Sequence, residues 1–315
     1  MPRADFGPGY AFLPPSKRLS FEQMTRIAWA FASLGVKKIR LTGGEPLLRR
    51  DLESLVERLA VLHTDDGRPM EVALTTNGTL LASKAQVLRD AGLSRVTVSL
   101  DALDDATFRR MADTTTSVTR ILDGIFRARS AGLNPVKVNV VIERGANDDQ
   151  ILPLVRFFKG TGVLLRFIEY MDVGGAAAWS PSKVVTAVEM RSIVESVYPL
   201  VPQRKAGRSS TSTNFFHTDG SGELGFIASV SQPFCGDCTR ARVSSDGRLY
   251  TCLFSLEGTD LKPLLGEGVS VEQLAMAVRS QWAAREDRYS EVRMMALKTG
   301  SQRRYPTVRM SLVGG

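Results

Sequence analysis

The sequence predicts an α/β protein built on a parallel sheet that curls into a barrel or part of one. Between residues 36 and 168, short runs rich in Val, Ile and Leu alternate with amphipathic helical stretches, the pattern of successive βα units. The runs are largely apolar, as strands covered on both faces are. They end in polar or glycine-rich residues, and such folds gather their chemistry at the C-terminal strand ends.

Residues 1–17 contain Pro2, Gly7, Pro8, Gly9, Pro14 and Pro15 and read as a loop. Ser20 and Gln23 form a capping box opening a helix with apolar positions Phe21, Met24, Ile27, Ala28, Phe31 and Leu34, closed by Gly35. Strands are predicted at 36–41, 70–75, 95–100, 136–142 and 163–168, and helices at 51–62, 83–91, 104–112, 117–131 and 148–159. A Gly, Ala, Ser and Lys-rich connection, 173–213, holds one helix at 187–197. It leads to strand-rich sequence at 223–231, and a last helix at 271–285 precedes a basic tail. His63 and His217 fall in polar loops and read as surface residues.

The strand ends carry the unusual residues. The first closes in Thr42-Gly43-Gly44-Glu45-Pro46, the second in Thr75-Thr76-Asn77-Gly78, the third in Ser99-Leu100-Asp101. Gly43 and Gly44 either make a turn or permit close backbone approach by a ligand. Lys137 and Asn139 lie within the fourth strand and Arg166 within the fifth. A charge inside an otherwise buried run is costly unless it is paired or faces a polar cavity.

The three cysteines, Cys235, Cys238 and Cys252, stand at C-x2-C-x13-C spacing. Gly236 permits a tight turn between the first two, and strands at 243–245 and 248–253, joined by Asp246-Gly247, return the third beside them. A structural zinc site closes with a fourth Cys or His, and no His follows Cys238. Three thiols leave an open position: a cluster with one iron free, or a zinc with water. Free thiols are the bland alternative, and a disulfide would strand one cysteine.

Forty-one Lys and Arg against 33 Asp and Glu give a net charge of +8, which suits an anionic partner such as a nucleoside triphosphate, nucleic acid or an acidic protein. No apolar run is long enough to span a membrane, and the N-terminus lacks a signal-peptide core, so a cytoplasmic protein with reduced thiols is expected.

Gly43-Gly44-Glu45-Pro46, Thr75-Thr76-Asn77-Gly78, the run from Arg166 to Gly174, the cysteine loop and the terminal Gly314-Gly315 together resemble the molybdenum-cofactor GTP 3',8-cyclases, radical S-adenosylmethionine enzymes. The resemblance implies a partial (β/α)6 TIM-type barrel over residues 1–172 and a C-terminal α+β cluster-binding extension over 173–315. In the family an N-terminal four-iron cluster reduces S-adenosylmethionine to a 5'-deoxyadenosyl radical. That radical removes the ribose 3' hydrogen of GTP, and the carbon radical closes onto C8 of guanine. A second four-iron cluster, on the C-terminal cysteines, holds the guanine.

Carried onto this chain, Gly43, Gly44, Glu45, Ser99 and Met171 look like S-adenosylmethionine contacts. Arg40, Thr75, Lys137, Arg166, Arg240, Ala241 and Arg242 look like GTP contacts, and Cys235, Cys238 and Cys252 look like cluster ligands. The arginines suit phosphate oxygens, which planar guanidinium groups bind bidentately. Gly314 and Gly315 match a family tail that reaches the active site. The resemblance also implies a homodimer and a successor enzyme, cyclic pyranopterin monophosphate synthase, with neither nucleic acid nor membrane as partner.

The family's C-x3-C-x2-C motif and first barrel strand have no counterpart here. In the family Met-Pro typically follows that motif, and this chain begins Met1-Pro2, so the expectation is an N-terminally shortened sequence in which the strand at 36–41 is an exposed edge. A non-catalytic nucleotide- or protein-binding relative that keeps only the C-terminal cluster is the alternative. A zinc protein binding nucleic acid is a third reading, although the basic residues lack interleaved aromatics.

Overall fold

The computed structural model describes residues 13–173, 179–203, 211–232 and 235–298; Gly314 and Gly315 lie outside them. Helix α1 (Phe21–Ser33) opens on the expected capping box: Gln23 N–H donates to Ser20 Oγ, and Ser20 N–H donates to Gln23 Oε1. Strands β1 (Lys38–Leu41), β2 (Glu71–Thr76), β3 (Arg95–Ser99), β4 (Lys137–Ile142) and β5 (Leu164–Glu169) each lie within two residues of the predicted runs. Helices α2 (Leu52–Ala60), α3 (Leu81–Asp90), α4 (Asp105–Ala112), α5 (Val118–Ser130) and α6 (Ile151–Phe158) fill the intervals. A 3-10 turn at Asp148–Gln150 delays α6 relative to the predicted start.

Helix α7 (Ala187–Glu195) is followed by β6 (Leu200–Pro202), β7 (Thr213–His217) and β8 (Glu223–Ile227). The sheet order is β1-β2-β3-β4-β5-β8-β7-β6, with β8 parallel to β5 and the last two strands antiparallel. A sixth parallel strand therefore comes from beyond residue 172. At the other end β1 pairs with β2 alone among the described residues, so it forms the expected edge.

Register decides which side chains share a face. Arg40 stands opposite Ala73 and Ala73 opposite Arg95; Thr75 opposite Thr97 and Thr97 opposite Lys137; Asn139 opposite Arg166 and Arg166 opposite Gly225. Because side chains alternate along a strand, all these residues project to one side of the sheet. The alternate positions, among them Val72, Leu74, Val96, Val98, Val138 and Val140, are fully buried in the main core.

A second core joins the α1 region to residues between Leu249 and Val278. It lies beside a small antiparallel sheet of β9 (Arg242–Val243), β10 (Arg248–Tyr250) and β11 (Thr259–Asp260), followed by α8 (Val271–Ala283) and α9 (Tyr289–Lys298). Leu19, Ile27 and Ala30 from the α1 region pack with Leu249, Leu261 and Leu274. Leu19 N–H also donates to Ser245 O at 2.8 Å.

Three expectations are corrected. The connection 173–213 contains β6 as well as one helix. Helix α8 is not the last: α9 occupies the start of the expected basic tail, held by Tyr289 stacked on Phe254 at 4.1 Å and by an Arg293–Asp172 ion pair. His217 is on a strand and 5% exposed, edge-on to Tyr198, and burial with nearby Lys159 lowers its pKa. His63 is exposed as expected.

Glu169, at the end of β5, is fully buried and shows how the chain beyond the barrel is fastened. Its carboxylate accepts the N–H groups of Ala187, Val230 and Ser231 at 2.7–2.8 Å and the Ser231 hydroxyl at 2.5 Å. Removing it would leave three backbone donors without an acceptor. Glu169→Ala is expected to cost about 3 kcal/mol or more in urea unfolding, with Glu169→Gln recovering part through its amide oxygen.

Candidate active site

The polar face of the sheet carries five cations: Lys38 and Arg40 on β1, Arg95 on β3, Lys137 on β4 and Arg166 on β5. Glu71 on β2 partly balances them, paired with Arg95 and with Lys38 at 3.7 Å. Arg40 Nη1 donates to Thr75 Oγ1 at 2.8 Å and to Thr97 Oγ1 at 3.2 Å, and Arg166 Nε donates to Asn139 Oδ1 at 2.9 Å. Arg40 is exposed to solvent on this face, and burial by its neighbours with the charge of Arg95 lowers its pKa. Arg95 Nε is buried with no hydrogen-bond partner among the described residues.

These charges disfavour one another. Burial, together with Arg166, Arg95, Lys38 and Arg40, pushes Lys137 down to about 8. Burial, with Arg40 and Arg95, pushes Arg166 down to about 10, so it stays charged at neutral pH. Gly225 makes room for this layer: a Cβ there would collide with Ser212 Oγ and stand 2.7 Å from Asn214 Oδ1 and 3.3 Å from Arg166 Cγ. A lumen with excess positive charge and a spare donor is built for a polyanion.

Above it, at the C-terminal strand ends, sit Gly43, Gly44, Glu45, Ser99 and Met171. Gly43 has φ +137°, which L side chains rarely adopt, and no atom lies within 4 Å of the place a Cβ would take, so a ligand can approach the main chain there. Glu45 locks its own loop to the end of β2: Leu47 N–H and Thr76 Oγ1 donate to Oε1, and Asn77 N–H donates to Oε2 at 2.7 Å. Asp101, just past β3, accepts Val141 N–H at 2.8 Å, and burial pushes it up to about 6.

The cysteines form a separate group. Cys235 and Cys238 share a turn closed by Cys238 N–H donating to Cys235 O. The hairpin is shorter than expected, with β9 at Arg242–Val243 and β10 ending at Tyr250, so Cys252 follows the hairpin rather than lying on it, near enough to Cys235 to feel its charge. All three are free and half-buried. Arg240 Nη2 donates to Cys238 Sγ at 3.3 Å and Phe254 N–H to Cys252 Sγ at 3.4 Å. Burial pushes the Cys238 thiol up, but the Arg240 backbone N–H and guanidinium, with Arg285, bring it below the usual thiol range. Burial keeps Cys252 above that range, with Asp287 and Cys235 adding to it. Arg242 lies close enough to both Cys238 and Cys252 to feel their charge, and Ala241 packs against the second core.

Among the described residues, no three His, Cys, Asp or Glu side chains close around a single ion. Three thiols, two of them accepting N–H hydrogen bonds, fit an iron–sulfur cluster, whose thiolates and sulfurs take such bonds. A second cluster of the C-x3-C-x2-C kind finds no ligands in this sequence, since every cysteine is already in this loop.

The structure thus assembles the predicted residues as a lumen set (Arg40, Thr75, Lys137, Arg166), a strand-end set, and a cysteine set that includes Arg240 and Arg242. Sequence reading missed Lys38, Glu71, Arg95 and Thr97. Their signal was period-two polarity, Lys38-x-Arg40, Glu71-x-Ala73-x-Thr75 and Arg95-x-Thr97-x-Ser99, hidden by the apolar residues between.

The Radical SAM superfamily profile matches residues 6–158, and the Molybdenum Cofactor Synthesis C profile matches 163–291. The native anSMEcpe structure with bound AdoMet and Cp18Cys peptide shares the fold, with a TM-score of 0.51 at 13% identity over 84% of this chain and 73% of that one. Fold and profile together define a partial TIM-type barrel of the radical S-adenosylmethionine class. A GTP 3',8-cyclase of Xanthomonas axonopodis pv. citri is 50% identical over 95% of this chain and 86% of its own length. One from Staphylococcus aureus strain JH9 is 45% identical over 100% of this chain and 91% of its own. The chain belongs to the GTP 3',8-cyclase family.

Lys137 gives the lumen a pH signature. Its charged fraction falls as pH rises through about 8, and a bound polyanion favours the charged form, so binding takes up protons near that pH. Titration calorimetry with inorganic tripolyphosphate is expected to show weaker binding above pH 8 than at pH 7. Lys137→Met should lose about tenfold in affinity at pH 7 and most of that pH dependence.

Proposed function

We propose that this chain binds GTP and cyclises it between ribose C3' and guanine C8, with S-adenosylmethionine as co-substrate, in molybdenum cofactor synthesis. The observation that carries the reading is 45–50% identity to GTP 3',8-cyclases along nearly the whole chain. The geometry supports this reading. A triphosphate matches the lumen, where Arg40, Lys137 and Arg166 converge and Thr75 orients Arg40 through its hydroxyl.

S-adenosylmethionine is assigned to the strand ends, against Gly43, Gly44, Glu45, Ser99 and Met171. Here Glu45 holds the glycine loop in place through three hydrogen bonds. Cys235, Cys238 and Cys252 would hold a four-iron cluster, which supplies an iron with an open coordination position. Arg240 and Arg242 flank it with positive charge, which suits an anionic nucleotide. Residues 1–172 would then serve S-adenosylmethionine and residues 173–315 the cluster, with GTP between. The reading carries with it a homodimer, a cytoplasmic setting and cyclic pyranopterin monophosphate synthase as the next enzyme. No helix among the described residues is long and apolar enough to cross a membrane.

One observation favours a second reading. The residues present offer thiols for one cluster, and the cluster that cleaves S-adenosylmethionine in the family has no ligands among them. A chain with this complement alone would be a GTP-binding relative.

Anaerobic reconstitution with iron and sulfide, followed by GTP, S-adenosylmethionine and dithionite, separates the two by mass spectrometry. Formation of 3',8-cyclised nucleotide together with 5'-deoxyadenosine is the outcome expected of the enzyme. GTP binding without either product gives the binding relative, and a chain that takes up neither iron nor GTP contradicts both.

A further inference from the structure

One short stretch, residues 285–293, touches each part of the cysteine site and the barrel beside it. Arg285 Nη1 donates to Cys238 O at 2.7 Å, holding the first cysteine turn. Asp287 accepts from the hydroxyls of Thr251 and Ser255, which flank Cys252. Tyr289 stacks on Phe254 at 4.1 Å and 13°, and the Phe254 N–H is the group that donates to Cys252 Sγ. Tyr289 Oη donates to Asp172 Oδ2 at 2.9 Å.

Arg293 completes the connection. Only 4% exposed, it pairs with Asp172, donates Nη2 to Ser229 O at 2.6 Å, and lies 5.4 Å from the Phe254 ring centroid and 5.8 Å from that of Tyr289. Asp172 immediately follows Met171 at the end of β5, and Ser229 donates its hydroxyl to the carbonyl of Glu169 on the same strand. An unbroken path of contacts thus runs from the barrel strand end through Asp172 and Arg293 to Phe254 and Cys252.

We propose that residues 285–293 act as a clasp that fixes the three thiols relative to the barrel mouth, with Arg293 as its positioning residue. This rests on reading the cysteines as cluster ligands. Hydrogen-bonded groups behind the ligands orient them before the cluster arrives. Arg293 suits the task because one planar guanidinium meets a carboxylate, a carbonyl and two aromatic faces at fixed angles. Loosening the clasp should weaken retention of the cluster and the response of the cluster to GTP, without emptying the lumen of its cations.

The test compares the unaltered chain with Arg293→Lys, Arg293→Met and Asp287→Asn after anaerobic loading with ferrous iron and sulfide. Iron release to a chelator, and the electron paramagnetic resonance spectrum of the reduced cluster with and without GTP, are the readouts, with circular dichroism of the iron-free chains as the fold control. Arg293→Met is expected to release iron roughly tenfold to a hundredfold faster and to lose the GTP-induced spectral change, with Arg293→Lys in between. Release rates and spectra equal to those of the unaltered chain would overturn the clasp while leaving the functional reading intact. If Arg293→Met fails to fold, Asp287→Asn, part-exposed and bonded to Thr251 and Ser255 rather than to Asp172, decides by the same comparison. An unaltered chain that binds no iron would overturn the clasp and the cluster reading together.

Discussion

Strand register is the constraint on which the site depends. Pairing Arg40 through Ala73 to Arg95, Thr97 to Lys137 and Asn139 to Arg166 sends every one of these polar side chains to one face. The opposite face is then free to be largely apolar, with Ile39, Leu74, Val96, Val140 and Phe167 on it, and the helices bury it. A slip of one residue on β1, β3, β4 or β5 would put a cation into the main core and an apolar side chain into the lumen. Fold and binding chemistry are therefore selected by the same pairing.

The cost of this arrangement is burial of charge first and mutual repulsion second: both lower the pKa values of Lys38, Arg40, Lys137 and Arg166. Glu71 and the threonine and asparagine oxygens relieve part of it. The remainder is an affinity for anions held ready in the folded state, since a polyanion removes repulsion that the empty lumen sustains. Stability is recovered elsewhere: Glu45 and Glu169 place single carboxylates against clusters of N–H donors at strand ends, and α1 shares a second core with α8.

Much of this was legible in the sequence. The five barrel strands and their helices follow from apolar periodicity, and Ser20 and Gln23 announce the first helix through their side chains alone. Lys137 and Arg166 stood out because each interrupts an apolar run. Lys38 and Arg95 did not, because both sit at strand beginnings, where a charge at a water boundary is ordinary. Helix α9 was hidden for another reason: its weak apolar pattern is sustained by Phe254 and Asp172, partners distant in sequence. His217 reads from the sequence as a surface residue because its burial depends on β7 pairing with β6 and β8, and of these the sequence pattern shows β8 alone.

The central claim is that the lumen is a cation cluster waiting for a polyanion, and Lys137 reports on it most directly. Its ionisation can be followed by NMR on lysine-labelled protein, assigned with Lys137→Met, with and without inorganic tripolyphosphate. The account predicts a midpoint near 8 in the empty protein, rising when the anion binds. An ordinary lysine midpoint in the empty protein, unmoved by tripolyphosphate, would contradict it.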